Sequence, residues 1–249
     1  MTPYLETPRL LLREFTTDDA DLVVQLDSDP DVMHFVTGGE PTLRGEVVAE
    51  VLPAWLDYYA QGSGHGFWAA IERATGDFLG WFHLRPGAGH PPGEPELGYR
   101  LRRTAWGQGY AVEGSQALID KAFTELGAAR VLAETMVVHT ASRRVMEKCG
   151  MRVSRTFHQD WAHPIPGDEH GDVEYAITLD EWRAAADGGG AEPAGRRREP
   201  RTPDQASSRP SRSASAITSR SGRPRATAAA KASSCSTFTR PAASFTAIA

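Results

Sequence analysis

Arg103-Thr104-Ala105-Trp106-Gly107-Gln108-Gly109-Tyr110-Ala111 is the stretch on which the fold turns. It follows an apolar strand-like run, 96–101, and opens a helical pattern whose apolar stripe is Ala111, Ser115, Leu118, Ala122 and Leu126. Small residues at a strand-to-helix junction leave backbone N–H groups open and let an anion approach the helix N-terminus closely. A Gly-x-Gly turn by itself also serves as an ordinary tight turn. A second segment adds weight: Thr140-Ala141-Ser142-Arg143-Arg144-Val145-Met146-Glu147-Lys148-Cys149-Gly150-Met151 reads as a short helix stopped by glycine.

Working outward, 9–15 is a compact apolar strand, and Thr17 is the expected cap of a helix carrying Ala20, Val23 and Leu26. Asp29-Pro30 opens a second helix, with proline at the first helical position. A longer helical pattern runs through Val47, Val51, Trp55 and Tyr59, and Pro53 inside it predicts a kink or a break. Strands at 67–72 and 78–84 flank the hairpin turn 74–77, and 86–95 is a Gly/Pro loop. Residues 130–138 form a β-branched central strand. An antiparallel pair at 151–157 and 173–179 is joined by the long polar loop 158–171, and a last helix starts at 180–182. The order is mixed α+β, unlike the strict strand–helix alternation of a doubly wound sheet.

The 249 residues carry a net charge of −5, unevenly spread. Residues 1–186 hold 16 Lys+Arg against 28 Asp+Glu, whereas 187–249 hold 11 against 4. The second part is rich in Ser, Arg, Pro and Ala and lacks apolar periodicity, so the chain divides into a folded domain, 1–186, and a low-complexity basic tail expected to be disordered. Two cysteines provide no disulfide framework, and Cys149 falls on an apolar helix side as a buried thiol. The histidines have no metal-ligand spacing, so no metal is assigned. Without a membrane-span-length apolar run or a signal-peptide pattern, a cytoplasmic setting is expected.

The turn and the second segment together are similar to the acetyl-CoA-binding half of the GNAT family of N-acetyltransferases. Trp106-Gly107-Gln108-Gly109-Tyr110-Ala111, Leu5-Glu6-Thr7-Pro8-Arg9-Leu10 and the 141–150 segment resemble the RimJ/RimL-type ribosomal-protein-alanine acetyltransferases. The resemblance covers about residues 5–183 and implies a mixed, mostly antiparallel central sheet flanked by helices. It also implies acetyl-CoA as co-substrate, with the amides of Gly107, Gln108, Gly109, Tyr110 and Ala111 as pyrophosphate donors. Trp106 stands where the family signature has Gln or Arg. In the family the preceding strand splays from its neighbour to receive the pantetheine arm, which places Tyr99, Arg100 and Leu101 there. His139 stands at a position commonly Asn, and Met146 at one where relatives place a thiolate-protonating Tyr. Ser142 is then the candidate for hydrogen-bonding the sulfur.

The attacking amine must lose a proton. At neutral pH this costs about 1 kcal/mol for an α-amine and about 4.6 kcal/mol for a lysine. Glu96, at the start of the strand beside the thioester, is the first candidate base; Asp160 in the long loop is second and His158 third. The implied acceptor is a primary amine, foremost the N-terminal α-amine of a protein, with a small cationic amine such as an aminoglycoside or polyamine as the alternative. A non-catalytic acyl-CoA-binding module is the third reading. Excess negative charge in the folded part attracts a cationic acceptor and disfavours free nucleic acid, leaving the basic tail as the segment suited to it. Either a monomer or a homodimer fits the sequence.

Overall fold

The computed structural model describes residues 3–87, 89–91, 93–159 and 164–188. Its strands are β1 (Leu5–Glu6), β2 (Leu10–Glu14), β3 (Gly66–Glu72), β4 (Phe78–Pro86), β5 (Pro95–Leu101), β6 (Arg130–Met136), β7 (Arg152–Phe157) and β8 (Asp172–Thr178). The helices are α1 (Ala20–Asp27), α2 (Pro30–Thr37), α3 (Arg44–Glu46), α4 (Leu52–Ala60), α5 (Tyr110–Thr124), α6 (Thr140–Lys148) and α7 (Leu179–Gly188). The strands form one sheet in the order β1-β2-β3-β4-β5-β6-β8-β7. Every neighbouring pair is antiparallel except β5 and β6. This is the mixed α+β, mostly antiparallel sheet flanked by helices that the sequence predicts.

Alternation along the strands divides the core between the two faces. Leu97, Tyr99 and Leu101 of β5 and Val131 and Ala133 of β6 pack with Leu118, Ala122 and Met146 from α5 and α6. Phe67, Ala69 and Trp81 turn to the opposite face, against Val23, Leu26, Leu52 and Trp55 from α1 and α4. Trp55, Trp68 and Trp81 are fully buried, so these aromatics are core, each contributing on the order of 2–3 kcal/mol by burial. Cys149 is buried too; burial and then the charge of Asp120 push its thiol up to about 12.

Several boundaries differ from expectation. The cap at the first helix is Thr16, one residue earlier than expected, with its N–H donating to Asp19 Oδ2 at 2.7 Å; a 3-10 turn, Thr17–Asp19, precedes α1. Arg13 doubly contacts the same carboxylate at 2.8 Å, which explains why this acid is retained at a nearly buried position. No break occurs at Pro53. A π-helical turn, Val47–Val51, lies immediately ahead and joins α3 to α4. The wider turn absorbs the missing proline N–H and the clash its ring would make with the carbonyl four residues back. β1 was not expected, because two residues carry no alternation. No described helix is long and apolar enough to cross a membrane. Of the basic tail assigned to 187–249, everything from 189 on lies outside the described residues.

Candidate active site

The cradle forms where β5 ends. A 3-10 turn, Arg103–Ala105, leads through Trp106 into Gly107 at φ 71° and Gly109 at φ 84°, and α5 starts at Tyr110. Left-handed φ at both positions explains why the turn needs glycine. Glu113 N–H is the first in α5 to find an acceptor, Gly109 O at 3.0 Å. Among the described residues, the N–H groups of Gly107, Gln108, Gly109, Tyr110 and Ala111 have no internal hydrogen-bond partner. With Val112, six successive open donors lie at the helix N-terminus and form an anion site, strengthened by the positive pole of α5. A Cβ at Gly107 would meet nothing, and one at Gly109 would meet only Arg9.

Beside the cradle the sheet forks. β5 and β6 share a single registered pair, Glu96↔Leu132, although each strand continues well past it. Arg102 N–H donates to Leu79 O at 2.7 Å; by antiparallel alternation Arg100 and Arg102 turn their main-chain groups to β4, while Tyr99 and Leu101 turn theirs into the gap. The Leu101 carbonyl accepts from the Trp106 indole N–H at 2.8 Å. This bond holds the turn against the strand end and uses Trp106 structurally. Arg100 is committed elsewhere, its guanidinium buried against Asp27 Oδ1 of α1 at 2.7 Å.

On the α5–α6 face, the Tyr99 hydroxyl lies 3.1 Å from Ser142 Oγ and 3.2 Å from Ser142 O. Both residues are fully buried, and burial pushes the Tyr99 hydroxyl far above its ordinary range, with the Ser142 contact opposing. Tyr99 therefore keeps its proton. Ser142 is positioned by Tyr99 and does not face solvent. His139, also buried, stacks on Phe35 of α2 with ring centroids 4.1 Å apart; burial and then the charge of His34 push it down to about 4, so it is neutral at physiological pH.

The opposite face of the fork carries acids. Glu96 lies 2.9 Å from Arg85 Nη2, and its Oε1 is 3.7 Å from Nε2 of the fully buried His83. Burial works to raise the Glu96 carboxyl, but His83 and Arg85 outweigh it and hold the group below the usual carboxylate range. Burial pushes His83 down to about 4, Arg85 and Arg100 reinforcing and Glu96 opposing. Glu174 of β8 is paired with Arg155 at 2.7 Å and Arg130 at 3.2 Å. Glu134 lies between them: burial, then the charges of Glu96, Glu174 and Asp172, push it up to about 7 against the pull of Arg155. Ligand atoms of His90, Glu134 and Glu174 lie within 4.8 Å of one another, a proximity created by three separate segments and invisible to sequence spacing.

The structure thus brings the cradle to the end of β5 and Tyr99, Leu101 and Ser142 to the α5–α6 side of the fork, with His139 at the start of α6; Glu96 sits on the opposite face at the paired start of β5, and Asp160 lies outside the described residues. Two participants escaped sequence reasoning. Arg9 crosses the cradle, donating to Gln108 O at 2.9 Å and Glu113 Oε2 at 2.6 Å, with its guanidinium 4.4 Å over the Tyr110 ring. Glu134 is the other, and a signal existed: it is the lone acid in the apolar run 131–138.

The acetyltransferase (GNAT) domain family matches residues 9–152. The FsC-acetyl coenzyme A-N(2)-transacetylase of Aspergillus fumigatus is 38% identical over 187 residues, covering 72% of this chain and 78% of its own. Among solved structures, a GNAT-family acetyltransferase from Bacillus anthracis superposes with a TM-score of 0.57 at 24% identity, covering 71% of this chain and 98% of its own. RimL, a ribosomal alpha-N-protein acetyltransferase in complex with coenzyme A, gives a TM-score of 0.60 at 18% identity over 72% of this chain and 99% of its own. At these identities, the two structural likenesses speak to the fold.

Proposed function

The chain belongs to the GNAT acetyltransferases, as an acetyl-CoA-dependent N-acetyltransferase, and from that premise we propose that it acetylates an α-amine directly, foremost a protein N-terminus. The observation that carries this reading is the row of open amides from Gly107 to Ala111 beside a sheet fork with a single registered pair. The residues present fit the co-substrate. Open N–H groups suit a diphosphate, and the main-chain groups of Tyr99 suit an amide-bearing arm laid into the gap as an added strand.

Bound there, acetyl-CoA supplies the activated acetyl group as a thioester. The cradle fixes the anionic end, each charge-assisted bond contributing about 1.5–3 kcal/mol. A Tyr99 N–H facing the gap stabilises negative charge developing on the thioester oxygen. Ser142 and His139 border the fork at the start of α6, with the Ser142 hydroxyl held by Tyr99. Glu96, ionised and fixed by Arg85, provides standing negative charge that favours a cationic acceptor.

A second reading, a small amine as acceptor, is favoured by one observation: the Aspergillus relative's name places its transfer at an N(2) nitrogen. Thiol release with a matched panel decides between them. Peptides with free N-termini, the same peptides blocked, α-amino acids, polyamines and aminoglycosides are compared at equal concentration. The first reading expects turnover with free-terminus peptides and none with blocked ones. Turnover confined to small amines replaces it with the second. Acetyl-CoA binding without thiol release from any amine leaves a binding module.

A further inference from the structure

We propose that Arg9, immediately before β2, is a direct cationic ligand of the co-substrate's diphosphate and screens it from Glu113. This rests on the acetyl-CoA reading above and adds a residue from outside the turn to that site. The turn and the residue before it commit their own polar side chains elsewhere. Trp106 stands where the family signature has Gln or Arg, and its indole N–H donates to Leu101 O at 2.8 Å. Arg103 pairs with Asp29 and Asp31 at the start of α2, and Arg102 donates to Gln25 Oε1 of α1 at 3.0 Å. Arg9 brings a cation to the cradle from a different segment.

Its guanidinium is held so that one nitrogen stays open. Nε donates to Glu113 Oε2 at 2.6 Å, Nη1 donates to Gln108 O at 2.9 Å, and the group lies 4.4 Å over the Tyr110 ring. Among the described residues Nη2 has no hydrogen-bond partner, and it lies 3.4 Å from where a Gly109 Cβ would stand. A groove of about 650 Å³, lined by Pro8, Arg9, Gly109, Val112, Gln116 and Lys148 among others, opens there. An anion held by the amides around Gly109 therefore has Nη2 beside it, with room for its oxygens. Guanidinium hydrogen bonds suit phosphate, and the two anchored nitrogens fix the direction of the third.

The charges give this arrangement a sign that can be measured. Glu113 lies in the first turn of α5, where a carboxylate suits the helix dipole but repels a second anion. Burial works to raise its carboxyl, but the bonds from Thr7 and Arg9 outweigh it and hold the group below the usual carboxylate range. The Thr7 hydroxyl and the Arg9 N–H both donate to Glu113 Oε1, at 2.6 and 2.9 Å. Removing the Arg9 charge thus deletes a phosphate ligand and bares Glu113 to the diphosphate. Removing the Glu113 charge leaves Arg9 its Gln108 and Tyr110 contacts and its full charge for the ligand. The two changes should act on affinity in opposite directions. An Arg9 that merely pinned the turn through Glu113 would be hurt equally by either, since both cut the same pair.

The test titrates the full chain by calorimetry, as wild type, Arg9→Gln, Arg9→Lys, Glu113→Gln and the Arg9→Gln/Glu113→Gln double variant. The ligands are acetyl-CoA and acetylpantetheine, which has the same thioester arm and no phosphate. Arg9→Gln should weaken acetyl-CoA by about tenfold or more and leave acetylpantetheine unchanged. Arg9→Lys, keeping the charge without the fork, should fall between Arg9→Gln and wild type. Glu113→Gln should bind acetyl-CoA at least as tightly as wild type, and the double variant should recover part of the Arg9→Gln loss. Wild-type affinity in Arg9→Gln, an equal loss with acetylpantetheine, or a Glu113→Gln variant as weak as Arg9→Gln overturns the assignment. Circular dichroism checks folding. If Arg9→Gln does not fold, Glu113→Gln decides alone: affinity at or above wild type supports the assignment, and weaker binding overturns it. A wild type that binds no acetyl-CoA overturns the co-substrate reading itself, an outcome distinct from a wild type that binds it without regard to Arg9.

Discussion

Gly109 shows what one residue decides. Its φ of 84° is a left-handed conformation that costs a non-glycine residue about 1–2 kcal/mol, yet a Cβ there would approach only Arg9 Nη2, at 3.4 Å. Gly109→Glu should therefore fold with a modest loss of stability while directing a carboxylate at the diphosphate position. Losing two charge-assisted bonds is worth about 3 kcal/mol or more, so acetyl-CoA affinity should drop on the order of a hundredfold or beyond. Gly109→Ala carries the same backbone strain without the charge and should bind far better than the glutamate variant. Calorimetric titration of both, with circular dichroism as the folding check, tests this; wild-type affinity in Gly109→Glu would mean that the anion sits elsewhere. This residue was legible from sequence because its role is a backbone property of its own turn. Glu134 was not, since its raised carboxyl comes from burial and then from Glu96, Glu174 and Asp172 on two other strands.

At the level of elements, α5 is placed by a residue that local propensity would remove. Gly114 sits inside the helix, and a Cβ there would collide with the ring of the fully buried Phe82 on β4. Replacing it with alanine gains about 1 kcal/mol in helix propensity. Overpacking a rigid core ring costs about 1–3 kcal/mol, and because Phe82 has no open side to turn towards, the steric cost wins. Gly114→Ala should unfold at lower denaturant, by a net of up to about 2 kcal/mol, with an unchanged m-value; a stabilised variant would mean that α5 sits farther from the sheet. Elements with strong local signals, such as the Asp29-Pro30 helix start, the hairpin turn at 74–77 and the β-branched strand expected over 130–138 and found over 130–136, were readable in advance. The helix through Pro53 was not, because a π-helical turn is a packing solution with no sequence signature of its own.

The whole molecule is a sheet interrupted at one seam. β1 to β5 and β6 to β8 are each paired along their strands, with register shifts at Ala70/Ile71 and Val153/Arg155, whereas among the described residues the two sets share one registered strand pair, Glu96↔Leu132. Around that seam the core of α5 and α6 holds the parts together, and Arg100–Asp27 ties β5 to α1. Sequence periodicity identifies strands and their buried faces, and here it identified both β5 and β6. It says nothing about how far two neighbours stay paired, since that depends on the helices packed on either face. A ligand arm laid into the seam completes a missing ladder, so co-substrate binding should stabilise the entire fold and not one loop. At ligand a hundred times above Kd, linkage gives about 2.7 kcal/mol. For a domain of this size that is a Tm increase of about 5–10 °C. Spread alone does not locate the ligand, but amide exchange does. The N–H of Tyr99 faces the gap and should change from fast to strongly protected on adding acetyl-CoA, as should the amides from Gly107 to Ala111. Arg100, whose N–H already faces β4, should change by no more than the global stabilisation. Equal gains at Tyr99 and Arg100 would show that the arm does not enter the seam, whatever the rise in Tm.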